Sequence, residues 1–393
     1  MNLTVIQRFF VANILTVCYS VLVLFKFLLI FLRNPLRNPW QQKLVLVPPA
    51  RLSDPKYGVH KYVKANNIKL HYVESGDPNK PLMLFLHGFP EFWYSWRHQI
   101  VEFNKDYWCI AFDMRGYGDS ERPEEVSAYK IDLLVEDVRD LMRKLGRSKC
   151  ILVSHDWGGM VATKFRDTHP DSLDALIVLS SASREAGSHE LWNNPEQKKK
   201  SWYMLLYRMP KIPELMFQMN DLQIFDMLMK RRENYVDDND IECYKYWFRK
   251  QDVREMYMLL YRMPKIPELM FQMNDLQIFD TLMRRRENYV DNNDIECYKY
   301  WFRKQGALTP PINYYRANFQ LTFPDKYKDE NVPMIVANGE KDPYIATSTL
   351  ERMKAEYKYI ETVLVEDAYH FLQQESPEKV NKIIRDFLLK NKL

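Results

Sequence analysis

A chain of 393 residues with 46% hydrophobic and 27% charged residues can bury a large α/β core together with an insertion, which excludes a disordered protein. Its formal net charge of +4 is spread along the sequence instead of forming a basic stripe, which excludes a nucleic-acid groove and points to a small-molecule substrate. The five cysteines (Cys18, Cys109, Cys150, Cys243 and Cys297) are odd in number and lack zinc-ligand spacing, so no metal or other cofactor is expected and a reducing compartment fits best.

Residues 9–32 carry one charge, Lys26, and about 20 apolar residues suffice to cross a bilayer. With the lysine snorkelling, residues 1–33 are expected to be a single membrane anchor. A cleaved signal peptide has a shorter apolar core and a small-x-small site, which Phe31-Leu32-Arg33-Asn34-Pro35 does not offer. Lys26, Arg33, Arg37 and Lys43 crowd the far side of the segment, against Arg8 and the amino terminus on the near side. The positive-inside rule therefore places the following domain on the cytosolic face, with the endoplasmic reticulum as the expected membrane.

A Pro-rich linker, 34–56, leads into runs at 61–64 and 68–74 around Asn66-Asn67, which predict a hairpin. Strands are predicted at 82–86, 108–112, 150–153 and 173–179, alternating with helical patterns such as 131–145 and 160–167. This rhythm implies a mostly parallel sheet covered by helices on both faces, beginning in residues 57–183. Strand patterns resume at 332–337 and 359–365, within a second core part at 326–393. Between them, 184–325 is helical, Met-rich and aromatic, and reads as a helical cap closing a site from above.

The cap contains a repeat: 204–251 recurs as 258–305, offset by 54 residues, with three differences, Met227/Thr281, Lys230/Arg284 and Asp238/Asn292. Such near-identity marks a recent duplication or a gene-model error rather than an old solenoid, and two copies are fewer than a stacked array needs. The basic clusters 198–200, 230–232 and 284–286 read as solvated helix faces, with anionic lipid headgroups as a second reading.

The chemistry centres on Ser154-His155-Asp156-Trp157-Gly158-Gly159, between a predicted strand and a predicted helix. Small residues two before and two after Asp156 meet the steric requirement of a nucleophile elbow, with Asp where many hydrolases carry Ser. A carboxylate attacks a saturated carbon bearing a leaving group, and the resulting ester keeps its carbonyl on the enzyme, where water can attack. The substrate class is then an epoxide or an alkyl halide. His87-Gly88-Phe89-Pro90 follows a strand where this architecture supplies a second oxyanion donor, so the amides of Phe89 and Trp157 are expected to form the oxyanion hole. Asp113-Met114-Arg115-Gly116-Tyr117-Gly118-Asp119-Ser120 reads as turn scaffolding. After the late strands come Asp342 and His370, expected as orienter and base, with Glu340 and Glu366 as alternative orienters.

In these motifs the chain resembles the membrane-anchored epoxide hydrolases of the α/β-hydrolase superfamily, over residues 57–393. The resemblance implies two cap tyrosines that hydrogen-bond the epoxide oxygen and protonate it on ring opening. One matches Tyr315, in the Pro-x-Asn-x-Tyr-Arg pattern, with Tyr314 as the near alternative. The other lies seven residues before a proline, and the duplication offers it twice, as Tyr203 before Pro210 and Tyr257 before Pro264. A phenol stays protonated at neutral pH and can donate to the departing alkoxide. Two other readings share these residues. A dehalogenase would use Trp157 to bind halide, but such enzymes tend to carry Asn after His-Gly, where this chain has Phe89. A catalytically silent binding protein would have its pocket blocked by the duplicated segment. An aromatic cap with a membrane address points to a lipophilic epoxide, such as an epoxidised fatty acid.

Overall fold

The computed structural model describes residues 48–201, 204, 292–302, 304, 307, 309–318 and 331–393. The elements named below lie in one compact unit, residues 44–201 and 283–393. The expected anchor, the first repeat copy apart from Met204, most of the second copy, Tyr203, Tyr257 and the basic clusters 230–232 and 284–286 lie outside the described residues. Among the described residues no helix is long and apolar enough to cross a membrane.

The hairpin forms as β1 (Val59–Ala65) and β2 (Ile68–Ser75), paired antiparallel with Ala65 opposite Ile68. Asn66 and Asn67 turn it with φ of 47° and 62°, the left-handed conformation that a two-residue hairpin loop requires and that Asn tolerates. Then follow β3 (Leu82–Leu86), α1 (Arg97–Phe103), β4 (Trp108–Phe112), α2 (Ile131–Lys144), β5 (Cys150–His155), α3 (Trp157–Thr168) and β6 (Leu173–Leu179). The residues of β3, β4 and β5 are all buried, as expected of parallel strands covered on both faces. In α2 the buried Ile131, Leu134, Val135, Val138, Leu141 and Met142 recur at helical spacing and lay one stripe against the sheet.

After β6 the chain leaves the sheet through α4 (Arg184–Asn193) and α5 (Pro195–Lys200). It returns through α6 (Asn292–Phe302) and α7 (Thr309–Asn318) to β7 (Met334–Gly339), α8 (Ser348–Glu356), β8 (Ile360–Val365), α9 (Leu372–Glu375) and α10 (Pro377–Lys390). The sheet order is β1-β2-β4-β3-β5-β6-β7-β8, antiparallel at the hairpin end and parallel from β4 onward. Leu179 of β6 lies opposite Ala337 of β7, so the insertion interrupts the sequence without interrupting the sheet. β7 begins at Met334, later than the predicted 332, because Pro333 has no N–H to give the ladder.

Both ends of the insertion are fastened to the core. In α6 the buried Asp294, Cys297, Tyr298 and Trp301 share one face. Asp294 accepts from Tyr94 Oη at 2.8 Å and pairs with Arg51 at 2.8 Å and Arg97 at 3.3 Å. At the end of α7, Asn318 Oδ1 accepts the Ile131 amide while its Nδ2 donates to the Tyr129 carbonyl. At the other end, Lys198 and Lys199 are exposed, as expected of a solvated face, but Lys200 is not. Its ammonium donates to the carbonyls of Asp342 at 2.8 Å and Ile345 at 3.1 Å, because those carbonyls belong to a loop with no strand partner to occupy them.

Candidate active site

Asp156 stands between the end of β5 and the start of α3 with φ 48° and ψ −119°. This strained turn lifts its side chain above the sheet, and the close packing beneath demands small neighbours. A Cβ on Gly158 would stand 2.3 Å from the Leu86 carbonyl oxygen, and one on Gly88 would stand 2.4 Å from Asp156 Cβ. The turn is held by Ser181 Oγ, which donates to the Asp156 carbonyl at 2.6 Å, and by the Asp156 amide donating to Leu179. Ser154, the nearest other nucleophile in sequence, is buried below and donates to the Ile177 carbonyl at 2.9 Å.

The loop after β3 brings Phe89, which precedes a cis peptide bond to Pro90, so that its amide donates to Asp156 Oδ1 at 2.7 Å. Trp157, the other expected oxyanion donor, is the first residue of α3, immediately after the nucleophile position. His370 comes from the loop after β8. Its Nδ1 lies 2.8 Å from Asp342 Oδ2 and its Nε2 lies 3.6 Å from Asp156 Oδ2. Asp342, in the loop after β7, also accepts the Tyr344 and Ile345 amides on Oδ1. The alternative orienters, Glu340 and Glu366, are both exposed, and the Glu340 carboxylate accepts the Asp367 amide instead.

Burial raises the Asp156 carboxyl, but the facing His370 ring, the charge of His155 and the Phe89 amide outweigh it and hold the group below its ordinary value. Asp342 is treated likewise: burial raises it, and His370 with two backbone amides lowers it further. Burial lowers His370, yet the two carboxylates it faces push it up to about 10.

The two candidate tyrosines of α7 separate cleanly. Tyr315 packs edge-on against Trp157 and Phe89, the two expected oxyanion donors, at 4.9 and 5.4 Å between ring centroids. Tyr314 also packs edge-on against Trp157, at 5.7 Å between centroids, but its hydroxyl is taken up by the Arg115 carbonyl at 2.7 Å. The loop containing Asp113 is scaffolding, with Asp113 accepting from His71, the Trp93 amide and the Asp119 amide.

Sequence reasoning missed Glu91 and His155. Glu91 is wholly buried and receives four donors: the Gly88 amide at 3.0 Å, His155 Nδ1 at 2.7 Å, and the Gln373 and Gln374 side chains at 2.8 Å each. The other nitrogen of His155 lies 3.0 Å from the His370 carbonyl. Both ring nitrogens of His155 are thereby engaged, one by the Glu91 carboxyl group and one by the His370 backbone. The pair joins the loop of Gly88 and Phe89 to the loop of His370. Its only sequence signal is a carboxylate set directly before the aromatic run Phe92-Trp93-Tyr94.

A family model described as the α/β-hydrolase fold matches residues 81–377. The chain is 35% identical over 344 residues to Epoxide hydrolase 4 of Homo sapiens, spanning 87% of this chain and 82% of that protein. It is 34% identical over 343 residues to Epoxide hydrolase 3 of Xenopus tropicalis, spanning 86% and 80%. Among solved structures it is similar to a Bacillus megaterium epoxide hydrolase in complex with an inhibitor, with a TM-score of 0.61 at 28% identity, covering 84% of this chain and 99% of that one.

Proposed function

The chain belongs to the α/β-hydrolase fold family and stands among its epoxide hydrolases, and we propose that it converts a lipophilic epoxide into a vicinal diol through an alkyl ester on Asp156. The observation that carries this reading is the Asp156 carboxylate, with one oxygen on the Phe89 amide and the other facing His370.

Asp156 Oδ2 attacks an epoxide carbon, and the ring C–O bond breaks. Tyr315 and a lid tyrosine, Tyr203 or Tyr257, give the alkoxide its proton. Ester formation removes the Asp156 charge that helped to keep His370 protonated, and the proton His370 then sheds replaces the one lost by the phenol. Neutral His370, oriented by Asp342, takes a proton from water as its oxygen attacks the ester carbonyl carbon. The amides of Phe89 and Trp157 hold the resulting oxyanion. Collapse passes the new hydroxyl's proton to the departing diol oxygen, and the cycle ends with Asp156 ionised and His370 protonated. Incubation with epoxy fatty acids and styrene-type epoxides should yield diol, and Asp156→Ala should abolish it. Equal diol formation by that variant would refute the reading.

The lipophilic substrate follows from the aromatic cap and from a proposed anchor at 9–32, supported by the length and charge flanks of that segment. We place the catalytic domain on the cytosolic side of the endoplasmic reticulum. In sealed microsomes added protease should then digest the domain without detergent, and full protection would reverse the orientation.

A further inference from the structure

We propose that Gln197 and Lys200, at the entry to the helical insertion, are positioning residues that hold the Asp342 loop and thereby set the rate at which the alkyl ester is hydrolysed. The inference rests on the covalent reading above and concerns its second step.

Asp342 is buried at the end of β7, and its carboxylate is fully engaged, Oδ2 with His370 and Oδ1 with the amides of Tyr344 and Ile345. Curling the loop around its own side chain turns the remaining backbone polar groups outward, where no strand receives them. Helix α5 does so. Lys200 Nζ bridges the carbonyls of Asp342 and Ile345, at 2.8 and 3.1 Å. Gln197 Nε2 donates to the Tyr344 carbonyl at 2.7 Å while its Oε1 accepts the Ala346 amide at 2.7 Å. Four backbone groups within 342–346 are thus satisfied from one helical turn. Each such group left bare in a buried place would be costly.

That helix is itself firmly set. Asn194 caps it by accepting the Glu196 and Gln197 amides, and donates to Ser348 Oγ at 2.8 Å. Lys200 is further fixed by Glu196 at 3.0 Å, and its side chain is only 20% exposed. The clamp therefore joins α5 and α8 to the loop that aims His370.

The consequence falls on one chemical step. Alkylation needs an ionised Asp156 and a proton donor, neither of which depends on where Asp342 points. Ester hydrolysis needs His370 in the right tautomer and orientation, and Asp342 supplies both. Loosening the loop should leave the first step alone and slow the second.

Single-turnover quench flow with styrene oxide on the full-length enzyme, with the Asp156 ester followed by intact mass, tests this. Lys200→Met and Gln197→Glu, which keeps the acceptor but loses the donor, should each slow ester hydrolysis by about tenfold or more while alkylation stays within about twofold. In steady state, kcat falls and kcat/KM holds. Lys200→Arg should recover most of the loss. Hydrolysis at the wild-type rate in both variants, or an equal slowing of both steps with a lowered Tm, would overturn the proposal. Absence of any Asp156 adduct in the turning-over wild type would instead refute the covalent reading beneath it.

Discussion

The Phe89 amide already donates to Asp156 Oδ1, at 2.7 Å, before any substrate binds. One carboxylate oxygen is thereby committed to the oxyanion hole, and Oδ2 is left as the attacking atom. The Oδ2 atom becomes the ester oxygen and leaves with the diol, while water adds to the carbonyl carbon. In a single turnover in H2(18)O the first diol should therefore contain no 18O, and the peptide containing Asp156 should gain one. Label in the diol of that first turnover would mean that water attacks the epoxide directly.

The titration of His370 gives a second test. In the free enzyme two carboxylates hold it at about 10, and Asp156 is held below its ordinary value. Both therefore keep their resting charges from about pH 5 to 9, and the alkylation rate should be flat across that span. In the ester one carboxylate is gone, burial regains weight, and the His370 value falls. Hydrolysis needs the neutral ring, so its rate should decline as pH drops through that lowered value. Asp156→Asn imitates the loss of charge and should move the His370 Cε1–H titration well below 10 in NMR. A titration still near 10 would contradict the account.

Much of this site was legible in the sequence because an elbow imposes local demands. Small residues around Asp156, a strand before it and a helix after it are steric necessities that sequence displays directly. Asp342 and His370 were legible by their places after late strands. The outward or inward turn of Lys200 was not, since three successive lysines look alike until a loop with bare carbonyls is folded beside one of them. Glu91 was hidden for a related reason: its four donors come from segments up to 283 residues away. Tyr314 and Tyr315 lay side by side in one motif, and only the helix phase sends the Tyr314 hydroxyl to the Arg115 carbonyl while setting the Tyr315 ring against Phe89.

That phase makes the two tyrosines separable by experiment. Tyr315→Phe keeps the edge-on ring packing on Trp157 and Phe89, so stability should be nearly unchanged while alkylation falls on the order of 10²-fold. Tyr314→Phe leaves the buried Arg115 carbonyl without its donor, and should cost about 1–3 kcal/mol of stability with near wild-type alkylation. The opposite pattern would reassign the proton donor.

Glu91 should prove structural first. Glu91→Ala leaves the buried His155 ring, the Gly88 amide and the Gln373 and Gln374 side chains without their shared partner, and at about 1–3 kcal/mol for even one buried group left unsatisfied the loss should be at least that. Glu91→Gln keeps the shape without the charge and should fall between that variant and wild type in thermal unfolding midpoint. A Glu91→Ala midpoint equal to the wild type would show that the pair contributes nothing net.

The duplication can be tested by removing it along lines the fold supplies. The leading arm of the insertion is fixed to the core through Gln197 and Lys200 of α5, and Tyr203 follows Lys200 by three residues. The returning arm is fixed through Asp294 and Tyr298 of α6, which belong to the second copy. Deleting residues 204–257 joins Tyr203 to Met258 and removes 54 residues while keeping both attachments and one lid tyrosine. The shortened chain should form diol at least as fast as the full chain and be more soluble, having lost an apolar, aromatic segment. In that background Tyr203→Phe should slow epoxide opening sharply, because no second copy remains to provide the phenol. In the full chain, single changes at Tyr203 and Tyr257 should differ, the larger loss marking the copy that supplies the lid phenol. A folded but inactive deletion variant would make the extra copy part of the site, and no effect of either tyrosine in either background would remove both from the mechanism.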